Sequence, residues 1–337
     1  MAIVPLMENP ESVPGLEGIR ARRFRDPTDF DAMSRICGKS SLADGFEWTK
    51  TRDDIEGTYE ELSNRDRHED LVFFESGSEI IGYGESYGER VDPSTMSYWN
   101  FVHLLPEWRS QGVREAMFKY NEERLLQRAR KSDAKGYFQT WACDEPNEWR
   151  DIVLRNGFHR SFSVLELEHP DPGNVPVFPL PPGLEIRPVR PERYRDVWEG
   201  MREAYRREPW FMETLYDDDH YRAWQTKSEF EPDLWQVAWD GDRIVGAVQN
   251  YIDREANEAF QRRVGHPENI FVASDWRHKG VARALISRSL RLLASLGMTE
   301  ASLDVDTDNA SGALHLYRAL GFEQVHAFAF FKKDLPR

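Results

Sequence analysis

The sequence predicts a mixed α/β fold of two tandem domains, each a mixed, mostly antiparallel twisted sheet flanked by helices. Three features predict it: an internal repeat, apolar patterns of period 2 and 3.6 that alternate along each copy, and a proline-rich segment between the copies. Gly15-Leu-Glu-Gly-Ile-Arg20 resembles Gly183-Leu-Glu-Ile-Arg187, and Asp70-Leu-Val-Phe-Phe74 resembles Asp233-Leu-Trp-Gln-Val237. Trp108-Arg-Ser-Gln-Gly-Val113 resembles Trp276-Arg-His-Lys-Gly-Val281, and Asn156-Gly-Phe158 resembles Leu320-Gly-Phe322. These matches keep their order at offsets of 163 to 168 residues, which marks a duplicated domain. Residues 169–183 carry six prolines, and proline at that density fixes φ and removes backbone donors, so they read as a stiff extended linker. The expected organisation is a flexible tail over 1–14, a first domain over 15–168, the linker 169–183 and a second domain over 184–337.

The second copy has the clearer pattern. Leu184–Arg187 is a short strand, and Pro191 opens a helix running to about Tyr205. Residues 207–232, aromatic and acidic, read as helix plus loop. Leu234–Trp239 and Arg243–Ile252 are strands joined at Asp240-Gly241, a hairpin signal. Asn269–Ala273 is a short apolar strand. From about Gly280 to Leu296, polar Arg283, Ser287, Arg291 and Ser295 recur every fourth residue, with Leu285, Ile286, Leu292 and Leu293 facing elsewhere, which is an amphipathic helix. Gly297 closes it. Ala301, Leu303 and Val305 alternate with polar residues as a strand, Ser311–Leu320 forms a second helix closed by Gly321, and Phe322–Lys332 is the final strand.

Composition excludes several classes. A net charge of −15 opposes nucleic-acid binding, which relies on basic faces, and an acidic surface tolerates cationic partners better than anionic ones. No stretch approaches the roughly 20 apolar residues of a membrane span, and the N-terminus lacks the pattern of a secretory signal. Cys37 and Cys143 are far apart and without metal-ligand spacing, so the expectation is reduced thiols in a cytoplasmic protein, with no metal.

The most informative segment is Ile270-Phe-Val-Ala-Ser-Asp-Trp-Arg-His-Lys-Gly-Val-Ala282. A strand ends, a polar loop turns, and a helix begins at a glycine followed two residues later by alanine. Free N–H groups and the positive dipole end at a helix N-terminus suit a pyrophosphate. Gly280 and Ala282 leave room for backbone approach, and Arg277 and Lys279 add charge. No triphosphate-binding loop of the G-x-x-x-x-G-K-[ST] kind occurs.

With Val272, the Arg277-His-Lys-Gly-Val-Ala282 loop, the strand Leu303–Asn309 and Leu316-Tyr-Arg-Ala-Leu-Gly-Phe322, the sequence resembles the GCN5-related N-acetyltransferase (GNAT) family. The tandem pair with one decayed half resembles the family's mycothiol synthase type. The resemblance implies two GNAT-like domains and acetyl-CoA as acyl donor. Ile270 and Val272 would border the pantetheine arm, with the Val272 N–H at the thioester carbonyl. Arg277, His278, Lys279, Gly280, Val281 and Ala282 would hold the pyrophosphate, and Asn309 and Tyr317 would sit near the sulfur.

Each residue also has a plainer reading. Tyr317 lies on an apolar helical stripe and is either core or the general acid. Asn309 precedes a helix and is an N-cap, a donor contact, or both. Glu268, read as opening the strand, is either a solvated strand-end carboxylate or the base. Asp304 and Asp306 share a strand face and either line the acceptor site or form an exposed edge. Asp217–Trp224 and the loop around Asp253–Arg263 are expected to line the acceptor pocket. In the first copy, Arg114 replaces the loop alanine, which would place a bulky side chain at the pyrophosphate position, and Val153 replaces the tyrosine. That copy is expected to be non-catalytic. The resulting expectation is an N-acetyltransferase acting on a small-molecule amine by direct transfer in a ternary complex. It works as a monomer with an internal pseudo-dimer of domains, away from membranes. The alternatives are a non-catalytic acyl-CoA sensor and an aminoacyl transferase on a tandem GNAT-like fold.

Overall fold

A computed structural model describes residues 11–46, 50–109, 112–132, 134–206, 208, 210–307 and 312–336. The chain divides into unit 1 (residues 1–161 and 329–337) and unit 2 (162–328). The division falls elsewhere than 15–168 and 184–337, the boundaries expected from the repeat.

Unit 1 runs β1 (Glu11–Ser12), β2 (Ile19–Arg23), α1 (Thr28–Ala43), α2 (Arg52–Glu61), α3 (Arg67–Asp70), β3 (Leu71–Ser76), β4 (Glu79–Asp92), β5 (Thr95–Leu104), α4 (Val113–Ala129), β6 (Lys135–Cys143) and α5 (Glu148–Arg155). Its strands lie in sequence order β1 to β6, antiparallel except for the parallel β5–β6 pair. Strand alternation distributes the apolar side chains to two layers. Leu71 and Phe73 pack with Phe30, Met33 and Ile36 of α1, whereas Val72 and Phe74 pack with Met117 and Phe118 of α4.

Then come β7 (His159–His169), β8 (Leu184–Ile186), α6 (Tyr194–Tyr205), α7 (Asp218–Thr226), β9 (Gln236–Asp240), β10 (Arg243–Tyr251), α8 (Arg254–Phe260), β11 (Val264–Val272), α9 (Val281–Ser295), β12 (Glu300–Asp306), α10 (Ala313–Ala319) and β13 (Glu323–Asp334). In unit 2 the order is β7-β12-β11-β10-β9-β8, with β11–β12 the parallel pair. β7, the last strand of the first sequence copy, makes six antiparallel pairs with β12, from Ala301↔His169 to Asp306↔Val164. Residues 329–337, which end the second copy, belong to unit 1. Each unit thus contains the closing segment of the other copy. A repeat marks descent and says nothing of which sheet a strand joins.

The proline-rich segment has no regular structure and packs onto unit 2, with Val175 buried in its core and Phe178 and Leu180 against it. Val281, Leu285, Ile286, Leu290 and Leu293 of α9 fill that same layer. On the opposite face of the sheet, Trp198 and Met201 of α6 pack with Trp224, Val237 and Trp239. Among the described residues no helix is long and apolar enough to cross a membrane.

Candidate active site

The site begins with a fault in a strand. Along β10 and β11, Ala247 faces Phe271 and Gln249 faces Glu268, so Asn269 and Ile270 together oppose the single residue Val248. This is a β-bulge. Asn269 absorbs it at φ 47°, in the left-handed region that asparagine tolerates, and its amide reaches Gln249 Oε1 at 3.4 Å. On the other side, β11 pairs with β12 only at Val264 and Gly265. Beyond that point the two strands part around a cleft of about 860 Å³.

Backbone geometry sets what faces the gap. Ala273 N–H donates to Val245 O at 2.8 Å. Orientation alternates along an antiparallel ladder, so the Val272 N–H points away from β10, toward the opening. After a single 3₁₀ turn at Ser274–Trp276, His278 (φ 59°) and Gly280 (φ 89°) adopt left-handed conformations and α9 begins. Successive N–H groups in such a loop form an anion-binding concavity. No side chain caps the helix N-terminus, and a Cβ at Gly280 would meet nothing within 4 Å. The donor groups of the first turn are therefore accessible to an anion.

Of the residues singled out from sequence, Glu268, Ile270, Val272, Arg277, His278, Gly280, Val281, Ala282 and Tyr317 line this one cleft. Lys279 lies outside its lining, with its ammonium over the Trp276 ring at 4.7 Å. Asn309 lies outside the described residues. The Arg277 guanidinium is committed internally, donating to Val272 O (3.2 Å) and Ala204 O (3.0 Å). It thus ties the end of α6 to the splayed strand, while its charge still acts on Glu208 in the cleft.

Several sequence expectations are corrected. Glu268 stands in the middle of β11, not at the start of a strand, because the strand begins at Val264. Residues 254–260 are a helix, not a loop, and neither they nor Asp217–Trp224 line the cleft. Asp217 instead caps α7 and Trp224 is buried. Arg114 in unit 1 does not stand over its helix N-terminus; it is buried beneath it. Tyr205, Glu208 and Asn269 line the cleft without having been singled out. Tyr205 donates its hydroxyl to Ile270 O at 3.3 Å.

The electrostatics are those of crowded acids. Glu268 Oε1 accepts the Asp304 N–H at 3.0 Å. Burial, and then the Asp304 charge, push the Glu268 carboxyl well above its ordinary range. Asp304 keeps surface in the open cleft yet is walled by protein, and burial followed by the Glu166 charge pushes it to about 7. Tyr317 is 7% exposed, and its hydroxyl makes no hydrogen bond to any described residue. Burial, and then Glu268, raise its pKa and so keep it protonated. Among the described residues no group of three His, Cys, Asp or Glu side chains could hold a metal ion.

An uncapped helix N-terminus, a splayed strand edge, two neighbouring carboxylates and a tyrosine meet in one cleft, a set of groups suited to acyl transfer. Residues 195–322 match the model of the acetyltransferase (GNAT) family, so that part of the chain is a GNAT-like acetyltransferase domain. The chain is similar to a mycothiol acetyltransferase of Geodermatophilus obscurus, 27% identical over 228 residues that cover 65% of this chain and 68% of that protein. In fold it is similar to a GCN5-related N-acetyltransferase from Sphaerobacter thermophilus, with a TM-score of 0.68, 20% identity and coverage of 96% and 97% of the two chains. It is also similar to a tandem GNAT protein from the clavulanic acid biosynthesis pathway, with a TM-score of 0.67, 13% identity and coverage of 95% and 99%.

Proposed function

We propose that the protein acetylates a small-molecule amine with acetyl-CoA, by direct transfer in a ternary complex formed in unit 2. The observation that carries the reading is the convergence, in one cleft, of an uncapped helix N-terminus, an edge N–H at Val272, the Glu268–Asp304 pair and the free Tyr317 hydroxyl. The name of the mycothiol acetyltransferase relatives favours a small-molecule acceptor. The open space at Gly280 and the small side chain of Ala282 fit a pyrophosphate held by backbone N–H groups of residues 278–282. Bound there, acetyl-CoA supplies an activated acyl group with a thiol as leaving group.

The chain's own residues then move protons. Glu268 takes the proton of the acceptor ammonium, a role its raised affinity for protons suits near neutral pH. The Val272 N–H stabilises the oxygen that gathers charge, a contribution of about 10²–10³ in rate. As the N–C bond forms and the C–S bond breaks, Tyr317 gives its proton to the departing sulfur. A thiol pKa of about 8.5 makes that help modest. The free tyrosine and the acid pair favour catalysis over a sensor, and carboxylates lining the cleft disfavour the tRNA of the aminoacyl transferase alternative.

Calorimetric titration of acetyl-CoA into wild type, Gly280→Glu and Gly112→Glu tests the reading, with thermal melts as a folding control because both glycines have φ > 0. Binding should vanish in Gly280→Glu and persist in Gly112→Glu. Binding that survives in Gly280→Glu moves the donor site to unit 1, and a wild type that does not bind overturns the acyltransfer reading.

A further inference from the structure

Residues directly opposite on antiparallel strands share a face of the sheet with Cβ atoms about 5 Å apart, so facing like charges cost stability. In unit 2, Asp304 of β12 stands directly across from Glu166 of β7. The next carboxylate along β7 is neutralised: Glu168 pairs with Arg262 at 2.9 Å, and Arg262 also holds Glu300. Among the described residues Glu166 receives only the Ser302 hydroxyl, at 3.1 Å. Among the described residues no lysine or arginine ion-pairs with Glu166, Asp304 or Glu268.

Asp304 and Glu268 line the cleft, Glu166 stands beside Asp304 on the neighbouring strand, and none of the three is in a salt bridge among the described residues. The charge of Glu229 reaches Glu268 as well. Burial holds His266 neutral (about 4), and Arg262 and His326 act on Glu166 without an ion pair to it, Arg262 being bound to Glu168 and Glu300, so burial still leaves the Glu166 carboxyl raised. The carboxylates are not gathered as a metal site among the described residues either. A like-charge pair that folding disfavours, beside a catalytic base, calls for a cationic ligand.

Resting on the acyltransfer reading of this cleft, we propose that the acceptor carries two cationic centres. One ammonium gives its proton to Glu268 and is acetylated, while the second is held between Glu166 and Asp304. A short diamine, or an amino sugar with a second ammonium group, has this chemistry. Atoms balance as in single-amine transfer: Glu268 takes the first ammonium proton, the N–C bond forms, the C–S bond breaks, Tyr317 protonates the thiolate, and the proton the nitrogen sheds as the amide forms returns to Tyr317. The second ammonium stays charged throughout.

The test compares initial rates of acetyl transfer from acetyl-CoA to 1,5-diaminopentane and to 5-amino-1-pentanol, which replaces the second ammonium with a hydroxyl. In wild type kcat/KM should favour the diamine by about tenfold or more, the value of one charged hydrogen bond. In Glu166→Gln the ratio should fall toward one, and Glu166→Asp should restore part of it. Equal rates in wild type, a preference that survives in Glu166→Gln, or transfer to neither amine would overturn the proposal. A melting-temperature rise with magnesium chloride alone would replace it with a metal site. Acetyl-CoA calorimetry separates the two levels: with binding intact only this inference fails, and without binding the acyltransfer reading fails too.

Discussion

The two units carry similar loop sequences and differ in what lies behind the helix that follows. Gly112 (φ 72°) and Gly280 (φ 89°) each open a helix that no side chain caps. Two residues on, unit 2 has Ala282 and an open cleft, while unit 1 has Arg114, 2% exposed. Its guanidinium donates to Asp44 (2.8 and 2.6 Å) and to Val102 O (3.3 and 3.2 Å), and lies 4.7 Å from the Trp149 ring. Val102 occupies the repeat position of Ile270, so the arginine lies against the strand edge that borders the cleft in unit 2. Arg109 joins this network through Asp44 and Ser40 O, as Arg277 holds Ala204 O at the equivalent place. β4 and β5 pair without a shift from Gly82↔Leu104 to Glu89↔Ser97, where β11 has its bulge. Buried Val153 stands for Tyr317, and Asn100, donating to Phe118 O, stands for Glu268. A phosphate-loop signature can therefore persist in a unit whose interior has been closed.

The largest effect expected from breaking this comparison is on stability. Arg114→Ala would leave Asp44 buried without its main partner, and removing one member of a buried pair costs about 3–5 kcal/mol. Burial alone would raise the Asp44 carboxyl, but Arg114 and Arg109 outweigh it and hold the group below its ordinary value. The contribution is thus full above the usual carboxylate range and is lost as pH falls through the lowered folded-state value. Urea denaturation of Arg114→Ala and of Arg114→Ala/Asp44→Ala measures it, with the double variant recovering part of the loss. A single-variant loss under about 1 kcal/mol would reduce the network to surface-type pairing.

This network also marks the limit of sequence reading. Local signals carried the helix α9, the Asp240-Gly241 hairpin, the loop and the place of Tyr317, because each rests on residues a few positions apart. Arg114 and Asp44 are 70 residues apart, and Glu166 and Asp304 are 138 apart. A charge in sequence does not reveal whether its partner is solvent, another side chain or a ligand. Arg277 illustrates this, since a loop arginine suggests phosphate, yet folding places it on two carbonyls. The bulge at Asn269 was illegible for another reason. Its cause is the register between two strands, and only the positive φ of a residue that tolerates it leaves a trace.

The next effect is on turnover and sharpens the contrast between Tyr317 and Val153. Tyr317→Phe should lower kcat by about 10²-fold, the lower end for a general acid, because a thiolate leaves with little help. The KM for acetyl-CoA should hold, since the ring still packs against Phe322 at 5.9 Å. Steady-state kinetics decide, and an equal loss in binding would make the ring a packing element. The companion Val153→Tyr should create no activity, because unit 1 has neither the bulge nor a carboxylate at position 100.

The smallest effect concerns pH and tests whether Glu268 works as the base. Its carboxylate form accepts the proton, so kcat at saturating acceptor should rise with pH through its raised value. Asp304 titrates nearby at about 7, and two interacting acids gain protons in steps that belong to the pair. Asp304→Asn removes one step and one negative charge. The remaining limb should become simpler and move to lower pH, since a neutral neighbour no longer disfavours ionised Glu268. Burial, the larger cause of the elevation, remains in the variant. The relative gain at pH 6 should therefore stay within about tenfold, less than the 1.4 kcal/mol of one full unit. A limb that does not move would assign the rise to the acceptor's own ammonium. Asn100, the counterpart of Glu268, has no proton to exchange at any of these pH values, so the profile reports on unit 2 alone.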